Sequence, residues 1–191
     1  MSKTKIAILG SAVDESEEAF TKARALATVL ASHEKEITLL SGAFEGMPYE
    51  IVKTARKQSA IELIGFSSQL GREKLTHASP RADLSMYSSI NYISPSFQLK
   101  DNSMASKKHR NVILTASCDA GILIAGRWGT LNEFTCLIDM GKVIGIYAGT
   151  GGMADELPRL IPKVNKPTKA TIIIEGNPQM LVEKILTTFQ K

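Results

Sequence analysis

Short runs of β-branched and aliphatic residues alternate with runs of helical spacing along most of this chain. That alternation dictates βα units and a largely parallel sheet. The first apolar run, Lys5 to Leu9, ends at Gly10-Ser11. Asp14 with Glu17 three residues later has the form of a capping box, and Phe20, Ala23, Ala27 and Leu30 follow at three-to-four spacing. The second run, Ile37 to Leu40, ends at Ser41-Gly42 and leads into a helix over about 48–58, with Pro48 tolerated in its first turn. The third is Ile61 to Gly65.

Regularity then fails. Residues 66–102 are rich in Ser, Asn, Pro and charge, with one short strand-like run at Asn91 to Ser94. A long irregular stretch inside a compact fold reads as a lid or an oligomer contact. Order returns with a helix over about 103–118, a strand Ala120 to Ala125, the loop Gly126-Arg127-Trp128-Gly129-Thr130 and a helix to about Met140. Val143 to Tyr147 precedes a glycine-rich loop, Gly149-Thr150-Gly151-Gly152, and a helix through Leu160; Thr171 to Ile174 precedes a last helix over about 178–189. The expected architecture is a Rossmann-like α/β/α sandwich with a largely parallel sheet of about six to seven strands. With no repeat or linker, 191 residues read as a single domain over 1–191.

Composition narrows the function classes. The apolar fraction of 43% supports a sizeable core, and a net charge of +4 is a mild excess. Basic residues are scattered apart from Lys107-Lys108-His109-Arg110, so nucleic acid is not an expected partner. No run reaches the ~20 apolar residues of a membrane span, and no secretory leader is visible, so no membrane partner and a cytoplasmic location are expected. Cys118 and Cys136, without a CxxC pattern, read as reduced core thiols, and no metal site is expected.

Ligands of parallel α/β sheets sit at the carboxyl ends of the strands. Four strand ends here carry small residues: Gly10-Ser11, Ser41-Gly42, the 126–130 loop and the 149–152 loop. Small residues let backbone N–H groups approach an anion, and the helix that follows adds its positive N-terminal end. Any one such loop could be a tight turn; several along one edge point to a phosphate site. Neither GxGxxG nor GxxxxGK[ST] is present, so nothing supports a dinucleotide cofactor or P-loop hydrolysis, and no cofactor is implied. Glu133 shares a helix face with Thr130 and Gly129, and helical side chains lean toward the N-terminus, so its carboxylate should face the phosphate loop. The alternative is an exposed helix-start Glu. Arg110 shares a face with Ser103 and Ser106 and has the geometry to grip a phosphate bidentately; the alternative is a solvated face.

Ala125 through Glu133 resembles the PGGxGTxxE signature of the LOG family of Rossmann-like nucleotide-binding proteins. That family includes cytokinin riboside monophosphate phosphoribohydrolases, many lysine decarboxylase-like proteins and molybdenum cofactor carriers. Ser41-Gly42-Ala43 with Gly46-Met47 is similar to its SGGxxGxM turn, Arg110-Asn111 to its helical Arg with Lys or Asn, and Gly10-Ser11 to its GSS strand ending. The resemblance implies a homodimer and a nucleoside monophosphate, or related phosphate ligand, with its phosphate on Gly126, Arg127, Trp128, Gly129 and Thr130. It also implies hydrolysis of the N-glycosidic bond to free base and ribose 5-phosphate, with Arg110 and Glu133 as the catalytic pair. Three positions depart from the pattern: Ala125 for Pro, Arg127 for the second Gly and Ala43 for a Gly. Arg127 is a candidate phosphate ligand and Trp128 a candidate stacking surface; packing and plain exposure are the alternatives. The departures bring the chain nearer the carrier-type branch, so a non-catalytic carrier or sensor of a nucleotide-like cofactor stands beside the hydrolase reading. An interaction protein with a vestigial site is the remaining alternative. A pyridoxal-phosphate lysine decarboxylase is disfavoured, because no lysine follows a strand in a cofactor context.

Overall fold

The computed structural model describes residues 2–12, 16–164 and 166–190. Among them, seven strands form one sheet: β1 (Thr4–Gly10), β2 (Ile37–Gly42), β3 (Glu62–Phe66), β4 (Ser89–Asn91), β5 (Ala120–Ile124), β6 (Val143–Tyr147) and β7 (Thr171–Glu175). Every pairing is parallel, in the order β4-β3-β2-β1-β5-β6-β7. The helices are α1 (Glu17–Ser32), α2 (Met47–Gln58), α3 (Arg72–Ala78), α4 (Ser103–Ser117), α5 (Trp128–Asp139), α6 (Gly152–Leu160) and α7 (Pro178–Thr187). The Rossmann-like α/β expectation holds, with the sheet wholly parallel.

The period-two geometry of a strand sorts its residues between two cores. Ile6 and Ile8 of β1 pack with α1, α2 and α7, through Leu26, Leu30, Ile51 and Ile185 among others. Ala7 and Leu9 face the other way, onto Leu114 of α4, Phe134 and Leu137 of α5 and Leu157 of α6. Parallel strands covered on both faces must be apolar throughout, and β5, AGILI, is buried at every position. Each fully buried Ile or Leu contributes roughly 1.5–3 kcal/mol.

The expected Asp14 cap lies outside the described residues. The cap observed on α1 is Ser16, whose side chain accepts from Ala19 N. Residues 66–102 are not a free lid. They contain α3, a 3-10 turn at Leu84–Met86 and β4, and they bury Leu75, Leu84, Tyr87 and Ile93. The strand there begins at Ser89, two residues ahead of the strand-like run at Asn91 to Ser94, because its pairing with β3 sets the register. Glu45 anchors the segment from the α2 side, accepting from Arg81 Nε at 2.8 Å, Arg81 N at 2.9 Å and Ser79 Oγ at 3.3 Å.

Strand order reverses between β1 and β5. From β1 the chain winds outward through β2, β3 and β4, then returns to pair β5 with the other edge of β1. Loops leaving the carboxyl ends of these two strands diverge, which opens a crevice at the switch point.

Candidate functional site

A cavity of about 310 Å³ fills that crevice. Gly10 and Ser11 line it after β1, Gly42 after β2, Arg110 from α4, and Arg127, Trp128, Gly129, Thr130 and Glu133 from the start of α5. The expected site residues converge, with two exceptions. Ser41 is buried beneath the cavity, its hydroxyl 3.1 Å from Tyr87 Oη. Gly126 has φ +93, and a Cβ there would collide with Thr130 Oγ1, so it turns the backbone behind the cavity wall. Helix α5 begins at Trp128, so Trp128, Gly129 and Thr130 form its first turn and are not loop.

Arg110 lies on the inner face of α4, a helix capped by Asn102, whose side chain accepts from Met104 N and Ala105 N. Asn111 Nδ2 donates to Asn132 Oδ1 at 3.2 Å and ties α4 to α5. The Arg110 guanidinium rests against Gly42, where a Cβ would collide with Nη1. Its Nε is buried without a hydrogen-bond partner. Burial pushes the arginine below its ordinary value, opposed first by Glu133 and then by Tyr87. Guanidinium nonetheless stays charged at neutral pH.

Glu133 is 6% exposed, so it is not a solvated helix-start residue. Burial pushes its carboxyl up to about 7, against the pull of Arg110 and, more weakly, Lys108. The pair influence each other's ionisation without closing into an ion pair. The result is a carboxyl that exchanges a proton near neutrality beside an unneutralised cation, an arrangement suited to acid–base work on a bound anion.

The N-terminus of α5 is open. Its N-cap, Arg127, makes no side-chain cap, and Thr130 Oγ1, in a residue 1% exposed, has no partner. The other glycine-rich loop, read from sequence as a second phosphate cradle, is occupied by the protein itself. Met153 N donates to Gly126 O at 2.8 Å and Ala154 N to Ala125 O at 3.0 Å, while Asp155 accepts from Gly149 N and Gly151 N. Thr150 Oγ1 accepts from Ala125 N at 2.9 Å and donates to Tyr147 O at 2.8 Å. The 149–152 loop is a strut that holds the 125–126 turn. Ala125 sits at φ +48, a conformation the proline ring forbids, so the departure from the family proline accompanies a different backbone.

At the cavity mouth Trp128 is 78% exposed, with Arg127, Lys107 and Lys108 also exposed along the lining. Sequence reasoning missed Tyr87 and Phe44. Tyr87 falls in the stretch where periodicity fails, and nothing in the sequence signals it. Both cysteines are free thiols; Cys118 is buried, and Cys136 is only partly so. Among the described residues no group of three His, Cys, Asp or Glu is placed to hold a metal, and no helix is long and apolar enough to cross a membrane.

Known structures share this fold at low identity. The molybdenum cofactor binding protein of Rippkaea orientalis is 18% identical, with 100% of this chain and 99% of that one covered at a TM-score of 0.69. The molybdenum cofactor carrier protein of Chlamydomonas reinhardtii is 15% identical, with full coverage of both chains and a TM-score of 0.69. DNA processing protein A of Helicobacter pylori is 17% identical, with 97% of this chain and 81% of that one covered at a TM-score of 0.63. The last overturns one expectation, that nucleic acid is excluded as a partner. That protein is described by its single-stranded DNA binding mode. Whole-chain charge therefore does not exclude this partner class on this fold, and net charge hides local cations such as those at the cavity mouth. No curated protein sequence matches the chain. The model of the SLOG cluster4 family matches residues 3–182, in keeping with the LOG-type resemblance of the motif, and the chain belongs to that family.

Proposed function

We propose that the chain binds a nucleotide by its phosphate at the first turn of α5 and hydrolyses its N-glycosidic bond. One observation carries the reading: Arg110 Nε and Thr130 Oγ1 are both buried and unpartnered in the wall around an uncapped helix N-terminus. An unsatisfied buried polar group costs about 1–3 kcal/mol, and more when charged. A phosphate supplies acceptors for both groups and meets the positive end of the helix.

The reaction follows from the same residues. Ionised Glu133 takes a proton from water as the oxygen attacks the sugar C1′. The carbon–nitrogen bond breaks through an oxocarbenium-like state, which the carboxylate stabilises. The proton held by Glu133 passes to the departing base nitrogen, leaving free base and ribose 5-phosphate. Arg110 fixes the anionic part of the substrate. In a panel of ribonucleoside monophosphates followed by chromatography, Glu133→Gln retains binding and loses base release, and Arg110→Ala loses both. Base release by Glu133→Gln at the unaltered rate would remove the catalytic assignment.

A second reading, a carrier or sensor that binds without cleaving, is favoured by the cation and indole at positions 127 and 128. Relatives on this fold that bind or carry the molybdenum cofactor support it. Tight binding with no base release from any nucleotide selects it.

A further inference from the structure

The proposed phosphate site uses the buried groups of the cavity, and the exposed part of its lining carries further groups. Arg127 and Trp128 offer their backbone to the α5 turn and send their side chains outward. Trp128 is the single tryptophan of the chain and is 78% exposed. Lys107 and Lys108 line the same opening from α4. The carboxylates nearby are engaged elsewhere: Glu45 by Arg81 and Ser79, and Glu133 by burial at the deep end. Three exposed cations crowded at one opening repel one another, and an indole left in water forgoes about 25 cal/mol for each Å² of apolar surface.

We infer that the ligand is a nucleotide of the diphosphate class. Its first phosphate sits on α5, its second on Arg127 with Lys107 and Lys108, and any group attached beyond lies on the Trp128 ring. This rests on the proposed nucleotide site. Arg127 is the exposed N-cap residue of α5 and lines the same cavity, and its guanidinium is suited to bidentate phosphate contact. Nucleic acid strands also combine phosphates with bases. Repeated phosphates, however, call for cations along a groove, and the exposed cations of this lining come only from the first half of α4 and the N-cap of α5.

Trp128 reports the test directly through its fluorescence. The intact protein is titrated with the four ribonucleoside monophosphates, the four corresponding diphosphates and a ten-residue oligothymidylate at fixed low salt, with calorimetry alongside. At least one diphosphate should bind about tenfold or more tightly than its monophosphate and, through the second phosphate on the adjacent Arg127, change the Trp128 emission. Arg127→Gly should bring that ratio close to one, and Arg127→Lys should retain part of it. Equal affinity for both nucleotide classes overturns the inference and leaves the phosphate site standing. So does an Arg127→Gly variant that weakens both classes by one factor. Tighter binding of the oligonucleotide than of any diphosphate replaces the inference with a strand-binding mouth. No binding of any nucleotide overturns this inference together with the function on which it rests.

Discussion

Gly42 lacks a side chain where the Arg110 guanidinium needs room, and the site depends on that gap. A Cβ there meets only the flexible far end of Arg110, so Gly42→Ala should keep its melting temperature within the effect of about 1 kcal/mol. It should nonetheless displace the guanidinium and weaken nucleotide binding about tenfold or more by calorimetry. Glu133 gives a prediction with a sign. Its ordinary value of 4.5 is raised to about 7 by burial, so the folded state holds a proton the unfolded state has already lost. This residue's contribution to stability is therefore fully present below about pH 4.5 and is lost as pH rises through about 7. The loss is about 3 kcal/mol. Glu133→Gln should raise the denaturant midpoint at pH 8 and change it little at pH 5. Phosphate binding to the unaltered protein should weaken above pH 7, where Glu133 is anionic, and the substitution should flatten that dependence.

Elements were readable where periodicity carries them. Apolar runs such as Ala120 to Ala125 and Val143 to Tyr147 locate strands because a parallel strand buried on both faces must be apolar at successive positions. The placement of Glu133 beside Gly129 and Thr130 followed from helical spacing alone. The 66–102 segment was not readable, because β4 is only three residues long and draws its stability from β3 rather than from its own sequence. Glycine content likewise could not separate the two glycine-rich loops. Composition does not say whether N–H groups face solvent or, as at Met153 and Ala154, the carbonyls of the neighbouring turn. Thr150 tests that distinction. Thr150→Val keeps the shape and strands Ala125 N and Tyr147 O, which should cost about 1–3 kcal/mol and release the 125–126 turn. A denaturant titration reads the first effect, and the loss of nucleotide affinity in a variant still folded reads the second.

At the scale of the whole molecule, a ligand that binds only the folded state adds about 2.7 kcal/mol at a hundredfold excess over its Kd. For a chain of this size that corresponds to a rise of about 5–10 °C in Tm. A thermal-shift measurement should show the rise with nucleotide and lose it in Arg110→Ala. The strand order bears on more than equilibrium. β1 pairs with β2 on one edge and with β5 on the other, Ile6 opposite both Leu39 and Ala120. At ribosomal speeds of about 5–20 residues per second, roughly 4–16 s separate the emergence of those two partners. Through that interval the strand at the centre of the finished sheet has β2 on one side and an unpaired, apolar border on the other. Arg110 and Glu133 emerge only as the interval closes, so a ligand of the proposed site has no hold on the chain before then. The fraction of nascent chains that reach the folded state should therefore respond to chaperone supply rather than to nucleotide.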